Sequence, residues 1–392
     1  MENTNIASYW VNPRILKGLR EKFNLTEKEV EELSKKLKKA HFQPITANQL
    51  IEWEKGEAQP DLVHLETLSE IYNCPVGYFF LDNLPEETLP LSHRGLSHDK
   101  PLSYLTHISL KKFYEVATFT VELIEKFDIS VEVKITPNRI PLDYSLIEEI
   151  AEEERKKIGW DEKIREKLRN EREAFEWWRK KLENLGIFCL EFKLNPKEVR
   201  GASIWLKNYP FILVNHEDFE AFSGRIFTLI HEYVHLISEN EGIICDFRGK
   251  MRGENPEPFV NKLSARILLS YQDLERQLNK LGLLKYKEIW HDNEIDKIRK
   301  PFFVSRDVIV IMLQEMGLAP HNLYEEKLKE WKDKKAFGKG GKKPTLIEQK
   351  KREFGYSFLN LLKQSIVNPS FPILDLSYIM DIKVEKIKDI LR

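Results

Sequence analysis

The segment Phe227-Thr-Leu-Ile-His231-Glu232-Tyr-Val-His235-Leu-Ile237 constrains this chain more than any other. Ile226, Phe227, Leu229, Ile230, Tyr233, Val234, Leu236 and Ile237 put apolar side chains on nearly every face of a helix, as in a core helix. Two histidines and a carboxylate are thereby carried into an apolar interior, where polar groups need partners. His231 and His235 are four residues apart and project from one side. Imidazoles at that spacing can grip one metal ion, and Glu232 can reach the water bound to it, the arrangement of a zinc hydrolase. The ordinary alternative is a pair of core histidines satisfied by hydrogen bonds.

A second element weighs against that alternative. Glu257 lies 22 residues beyond His235, and Pro256 and Pro258 signal a helix start there. A carboxylate on such a helix can serve as third ligand, and Asn261, one turn later, can orient a ligand histidine by accepting its other N–H. Glu239, Glu241, Asp246 and Glu254 are rival carboxylates, the last three in a Gly-containing stretch read as loop. The helix signals favour Glu257.

At 392 residues the chain is long for one core, so two or three domains are expected. A net charge of −1 gives no global affinity for polyanions. Three widely spaced cysteines, Cys74, Cys189 and Cys245, with no C-x-x-C, fit a reducing compartment. No apolar run approaches the length of a membrane span and the N-terminus lacks signal-peptide features, so a cytoplasmic protein with no membrane partner is expected.

Residues 13 to 82 read as a bundle of short helices. Pro13 opens the first; Thr26 with Glu29 forms a capping box for the second; Thr46 caps a third that ends at Lys55-Gly56; Asp61 starts a fourth. The run from Leu19-Arg20 through Leu25-Thr26, then Ile51-Glu52-Trp53-Glu54-Lys55-Gly56 and Leu68 to Phe80, resembles the helix-turn-helix domain of the phage-repressor (XRE) family. That resemblance implies a third helix in the major groove of double-stranded DNA, presenting Thr46, Asn48, Gln49 and Glu52, with Lys55 near a phosphate. The stretch before this helix is longer than the family's. Its Lys35, Lys36, Lys38 and Lys39 are either phosphate contacts or a solvated helix face. Such a bundle can also dock proteins or dimerise.

Pro85, Pro90, Gly95 and Pro101 mark a break, whose His93 and His98 read as solvated loop histidines. A helix over 109–127 and a long charged helix over 161–185 follow, the latter with Phe175, Trp177, Trp178 and Leu182 toward the core. Strands are expected at 186–192, 200–205 and 210–214. Residues 325–352 are Lys-rich and read as a basic linker, with an acidic partner or nucleic acid as a secondary reading; helices are expected at 356–362 and 374–391.

The order of elements resembles the ImmA/IrrE family of metallopeptidases over about residues 170 to 325. Arg200-Gly201-Ala202-Ser203, Ile212-Leu213-Val214-Asn215, the His231 segment, Glu257-Pro258-Phe259-Val260-Asn261, and the trailing Phe302-Phe303-Val304-Ser305-Arg306 carry the resemblance. It implies a gluzincin-like site in which Zn2+ is held by His231, His235 and Glu257, with Glu232 as general base. It also implies a repressor-type protein as substrate.

The expected fold is α+β, mainly α: a helix-turn-helix domain (1–84), a linker and helical region (85–165), a zinc peptidase domain with a small sheet (166–325), and a basic linker with C-terminal helices (326–392). The expected function is a site-specific endopeptidase acting on a regulator in stress response, mobile-element control or phage defence. Double-stranded DNA and a second copy of the chain are further candidate partners. The alternative is a transcriptional regulator or antitoxin-like repressor whose peptidase fold senses or dimerises.

Overall fold

A computed structural model describes residues 10–37, 42–84, 102–195, 198–216, 222–238, 243–245, 256–332 and 344–391. The protein is mainly helical with one small sheet. It divides into two units, one of residues 1–89 and 97–111, the other of residues 90–96 and 112–392. No helix among the described residues is long and apolar enough to cross a membrane.

The first unit contains α1 (Pro13–Lys22), α2 (Glu27–Lys36), α3 (Ala47–Lys55) and α4 (Leu62–Tyr72). Local chemistry sets their ends. Thr26 with Glu29, and Thr46 with Gln49, form reciprocal capping boxes, Asp61 caps α4, and Gly56 closes α3 in the left-handed conformation (φ 76°). Leu16, Val30, Leu50, Leu68 and Phe79 are fully buried and form the centre of the unit. Arg20 ties α1 to α3: its Nε and Nη2 each lie 2.7 Å from the Glu54 carboxylate, and its Nη1 donates to the Leu25 carbonyl.

A helix α5 (Tyr104–Phe127) begins five residues before the expected start, and its residues from Lys112 onward belong to the second unit. That unit continues with α6 (Ile147–Ile158), α7 (Glu162–Lys167) and α8 (Glu171–Glu183). The expected single helix over 161–185 is therefore broken. Leu168 leaves helical geometry, and the Asn170 side chain accepts from Glu173 N to start a new helix. The apolar and charged pattern runs through the break, which is why periodicity alone reads it as one helix.

Strands β1 (Phe188–Phe192), β2 (Gly201–Leu206), β3 (Tyr209–Asn215) and β4 (Ile243–Cys245) form a sheet of order β1-β3-β2-β4. β1 and β3 are parallel; β2 pairs antiparallel with both β3 and β4. A two-residue turn with Lys207 at φ 54° joins β2 to β3, the hand that suits a twisted hairpin. β4 corrects the reading of 241–254 as loop throughout: Gly201, Ala202 and Ser203 pair with residues 243–245.

Between β3 and β4 runs α9 (Phe222–Ser238), buried on almost every side. It packs on β2 and β3, on α8, and on α10 (Glu257–Leu268), which also contacts α6. The C-terminal end of α9 is pinned through carbonyls that a helix leaves without internal partners. Trp205 Nε1 donates to Leu236 O, and the amides of Arg139 and Ile140 both donate to Ile237 O. Beyond α10 come α11 (Tyr271–Leu281), α12 (Asp292–Arg299), α13 (Arg306–Glu315) and α14 (Leu323–Lys332). The last elements are α15 (Leu346–Ser365), kinked at Gly355, then α16 (Ile373–Met380) and α17 (Val384–Leu391). The ends of the Lys-rich stretch are thus helical, in α14 and α15; residues 333–343 lie outside the described residues.

Candidate metal centre

α9 brings His231 and His235 to one side at 0% and 1% exposure, and the first residue of α10, Glu257, faces them. His231 Nε2 lies 3.2 Å from Glu257 Oε2, His235 Nε2 lies 3.2 Å from Glu257 Oε1, and the two Nε2 atoms are 3.1 Å apart. Two imidazole nitrogens at that separation can share at most one proton, so at least one lone pair points into the space between the rings and the carboxylate. Donors of a tetrahedral zinc ion, at about 2.0–2.1 Å from the metal, stand about 3.3 Å from one another. These three residues are the one His/Cys/Asp/Glu group among the described residues able to hold a metal ion. Two imidazoles and one carboxylate form the donor set of a catalytic zinc site with a fourth position open. The arrangement fits the metal.

Burial opposes charge on Glu257, but its hydrogen bonds to both histidines outweigh this and hold its carboxyl far below the usual carboxylate range. The rivals Glu239, Glu241, Asp246 and Glu254 lie outside the described residues, as do His93 and His98.

Glu232 is fully buried and turned toward β2. Ser203 Oγ donates a 2.8 Å hydrogen bond to its Oε2. Two residues earlier on the same face of β2, Gly201 leaves room for the carboxylate: a Cβ there would lie 2.6 Å from Glu232 Oε1 and 2.6 Å from Thr228 Cγ2. Neither residue was identified as functional from the sequence. The available signal was the spacing of a small and a hydroxyl residue two apart on a strand beside the metal helix.

Asn261 does not take the orienting role expected of it. Its Oδ1 is shielded from solvent and accepts no hydrogen bond among the described residues. Peptide cleavage needs a further donor to the oxyanion, for which the sequence offers Tyr209, His216, Tyr233 and Arg266, and two of these are engaged elsewhere. Tyr233 donates to Glu154, which also pairs with Arg139, and burial followed by the Glu154 charge pushes its phenol well up. Arg266 is buried against Glu148, Glu315 and Tyr271. Tyr209 and His216 are half-buried at the two ends of β3.

In the first unit, Asn48, Glu52 and Lys55 are exposed on α3, whereas Thr46 and Gln49 are committed to each other in its capping box. The Glu31 carboxylate accepts from Ala47 N and so already occupies the positive end of α3. Residues 1–89 carry ten Lys and Arg against fifteen Asp and Glu. Of the four lysines weighed as phosphate contacts, Lys35 pairs with Glu31 and Glu32, and Lys38 and Lys39 lie outside the described residues.

No family model matches the chain, and neither a curated protein nor a solved structure matches it significantly.

Proposed function

We propose that this protein is a zinc-dependent endopeptidase. The observation that carries the reading is the convergence of His231 Nε2, His235 Nε2 and the Glu257 carboxylate within 3.1–3.2 Å in a buried site, with both histidines on the helix that also bears Glu232 and Glu257 on the next helix. His231, His235 and Glu257 would hold the metal. When bound, zinc supplies a Lewis acid for the scissile carbonyl and a water that ionises near neutral pH. Glu232 accepts the proton of the attacking water and returns it to the leaving amine. Ser203 and Gly201 keep that carboxylate against β2, and the apolar wall of α9 excludes bulk water from it. The likeness of the motifs to the ImmA/IrrE family supports this reading and points to a repressor-type regulator as substrate.

For the N-terminal bundle, its acidic balance, the Glu31 carboxylate at the start of α3 and the Thr46–Gln49 capping box favour a protein partner over a DNA operator. A docking module for the substrate is the role that fits. The second reading, a regulator without proteolysis, would need that surface to hold DNA against its own charge.

Glu232→Gln keeps the shape of the residue and removes its basicity. New protein N-termini that appear in cells expressing the wild type and vanish with E232Q, while metal content stays equal, are the expected result. An identical set of termini from both proteins would remove Glu232 from the chemistry.

A further inference from the structure

α8 and the kinked α15 bound a cleft of about 810 Å³ within the second unit, within the size range of small-molecule sites. Six cationic residues line it, Arg172, Arg179, Lys180, Lys351, Arg352 and Lys363, against three acidic ones, Glu176, Glu183 and Glu348. The acidic groups offset this charge in part, with Glu176 exposed in the cleft. Glu348 accepts from Thr345 as its capping partner, and Glu183 is buried, takes the Ser357 amide, and is raised by burial to about 7.

The cations are differently placed. Arg179, 4% exposed, is turned inward: it gives Nη1 to Glu191 and to the Arg352 carbonyl and Nη2 to the Cys189 carbonyl, and its shielded Nε lies 3.9 Å from Glu183 Oε1 without a hydrogen bond. Arg352 Nε is likewise shielded without an acceptor. Arg172, Lys180, Lys351 and Lys363 are exposed and make no ion pair among the described residues. Exposed cations without ion pairs occur elsewhere on the molecule, Lys163 and Lys280 among them, but here four of them line one cleft. Four exposed cations without ion pairs around one concave site, with the Arg352 guanidinium beside them, focus a positive potential into it. Tyr356 stands at the rim, 61% exposed, and offers a ring face to a planar group.

We propose that this cleft is a binding site for a polyphosphate, of the kind carried by nucleotides. Guanidinium groups suit phosphate oxygens through paired N–H donors, and the lysines add point charges. The Lys-rich run of the sequence thereby gains a structural role at its end, where Lys351 and Arg352 line the cleft while Lys350 is paired with Glu353. Because the walls are α8, which leads into β1, and α15, which packs on β1, a bound ligand would tie the C-terminal helices to the sheet.

The test uses the full chain and calorimetric titration at about 50 mM salt, where screening is weak. The probes are the magnesium complex of ATP, inorganic tripolyphosphate, and a polyglutamate peptide. The variant is K351E/K363E, both positions being exposed, with circular dichroism and melting temperature checked against the wild type. The expected result is one site per chain for ATP or tripolyphosphate, weakened at least about tenfold in the variant, with a higher melting temperature in the wild type when ligand is present. The ratio of the two affinities tells a nucleotide site from a site for free polyphosphate. Absence of binding by both phosphates, equal binding to the variant, or tighter binding of polyglutamate would overturn the proposal. None of these readouts depends on peptidase activity.

Discussion

Ser203 Oγ stands 2.8 Å from Glu232 Oε2, a hydrogen bond between a strand and a helix 29 residues apart in sequence and closed to solvent. It ties β2 to the carboxylate of α9. The carboxylate that would move the proton is not free to choose its rotamer: a hydroxyl holds one oxygen and the missing side chain of Gly201 accommodates the other.

Ser203→Ala should lower kcat about tenfold with little change in KM, because a buried hydrogen bond to a charged group contributes about 1.5–3 kcal/mol and part of that is positional. Ser203→Thr should recover most of the loss. A variant with wild-type kcat would show that Glu232 is held by other means.

Gly201→Ala should be worse than Ser203→Ala. Its Cβ would overlap Glu232 Oε1 and Thr228 Cγ2, and overpacking of this kind costs about 1–3 kcal/mol. Metal content should persist while cleavage is lost and the melting temperature falls. Unchanged stability and activity would mean that β2 can withdraw from α9.

Glu183 gives a pH dependence with a definite sign. Burial raises its carboxyl from 4.5 to about 7, against the opposing Arg179 charge and the Ser357 and Tyr356 amides, with Glu176 adding to the rise. Between these values the folded state binds more protons than the unfolded state, so this residue favours folding at low pH and its contribution is lost as pH rises toward 7. Its effect is on the order of 3 kcal/mol. Melting temperatures of the wild type should fall between pH 4.5 and about pH 7 more steeply than those of Glu183→Gln. Parallel curves for the two proteins would place the titration elsewhere.

Glu54→Ala should loosen the first unit. It removes the two-pronged partner of Arg20, whose side chain is 10% exposed but keeps Glu27 at 2.9 Å and the Leu25 carbonyl, so the cost should lie below the roughly 3–5 kcal/mol of a buried pair broken outright. Amide exchange in α1 and α3 should speed up while α9 keeps its protection. Unaltered exchange in α1 would assign the stability of the bundle to its apolar core alone.

Much of this architecture can be read from residues in order. The apolar surround of His231 and His235, the capping boxes at Thr26 and Thr46, and the helix start at Glu257 are local signals, and each appears at the positions expected. What escaped is of another kind. β4 is three residues long and exists by pairing with β2. The break between α7 and α8 rests on one asparagine cap inside an unbroken charge pattern. Nothing in the sequence marks Arg179 and Glu191 as a buried pair, held at 2.6 Å with the Arg352 carbonyl of α15 accepting from the same nitrogen. Helical spacing points to Asn261, but spacing gives the face of a helix and not a partner, and its Oδ1 has no hydrogen bond among the described residues.

Elemental analysis of the purified full chain beside His231→Ala and Glu257→Ala tests the metal centre most directly. The geometry calls for about one zinc per wild-type chain, lost in both variants, since each removes one of three ligands. A wild type that takes up no metal when zinc is supplied, or a Glu257→Ala protein that keeps a full complement, would contradict the assignment of His231, His235 and Glu257 as a zinc site.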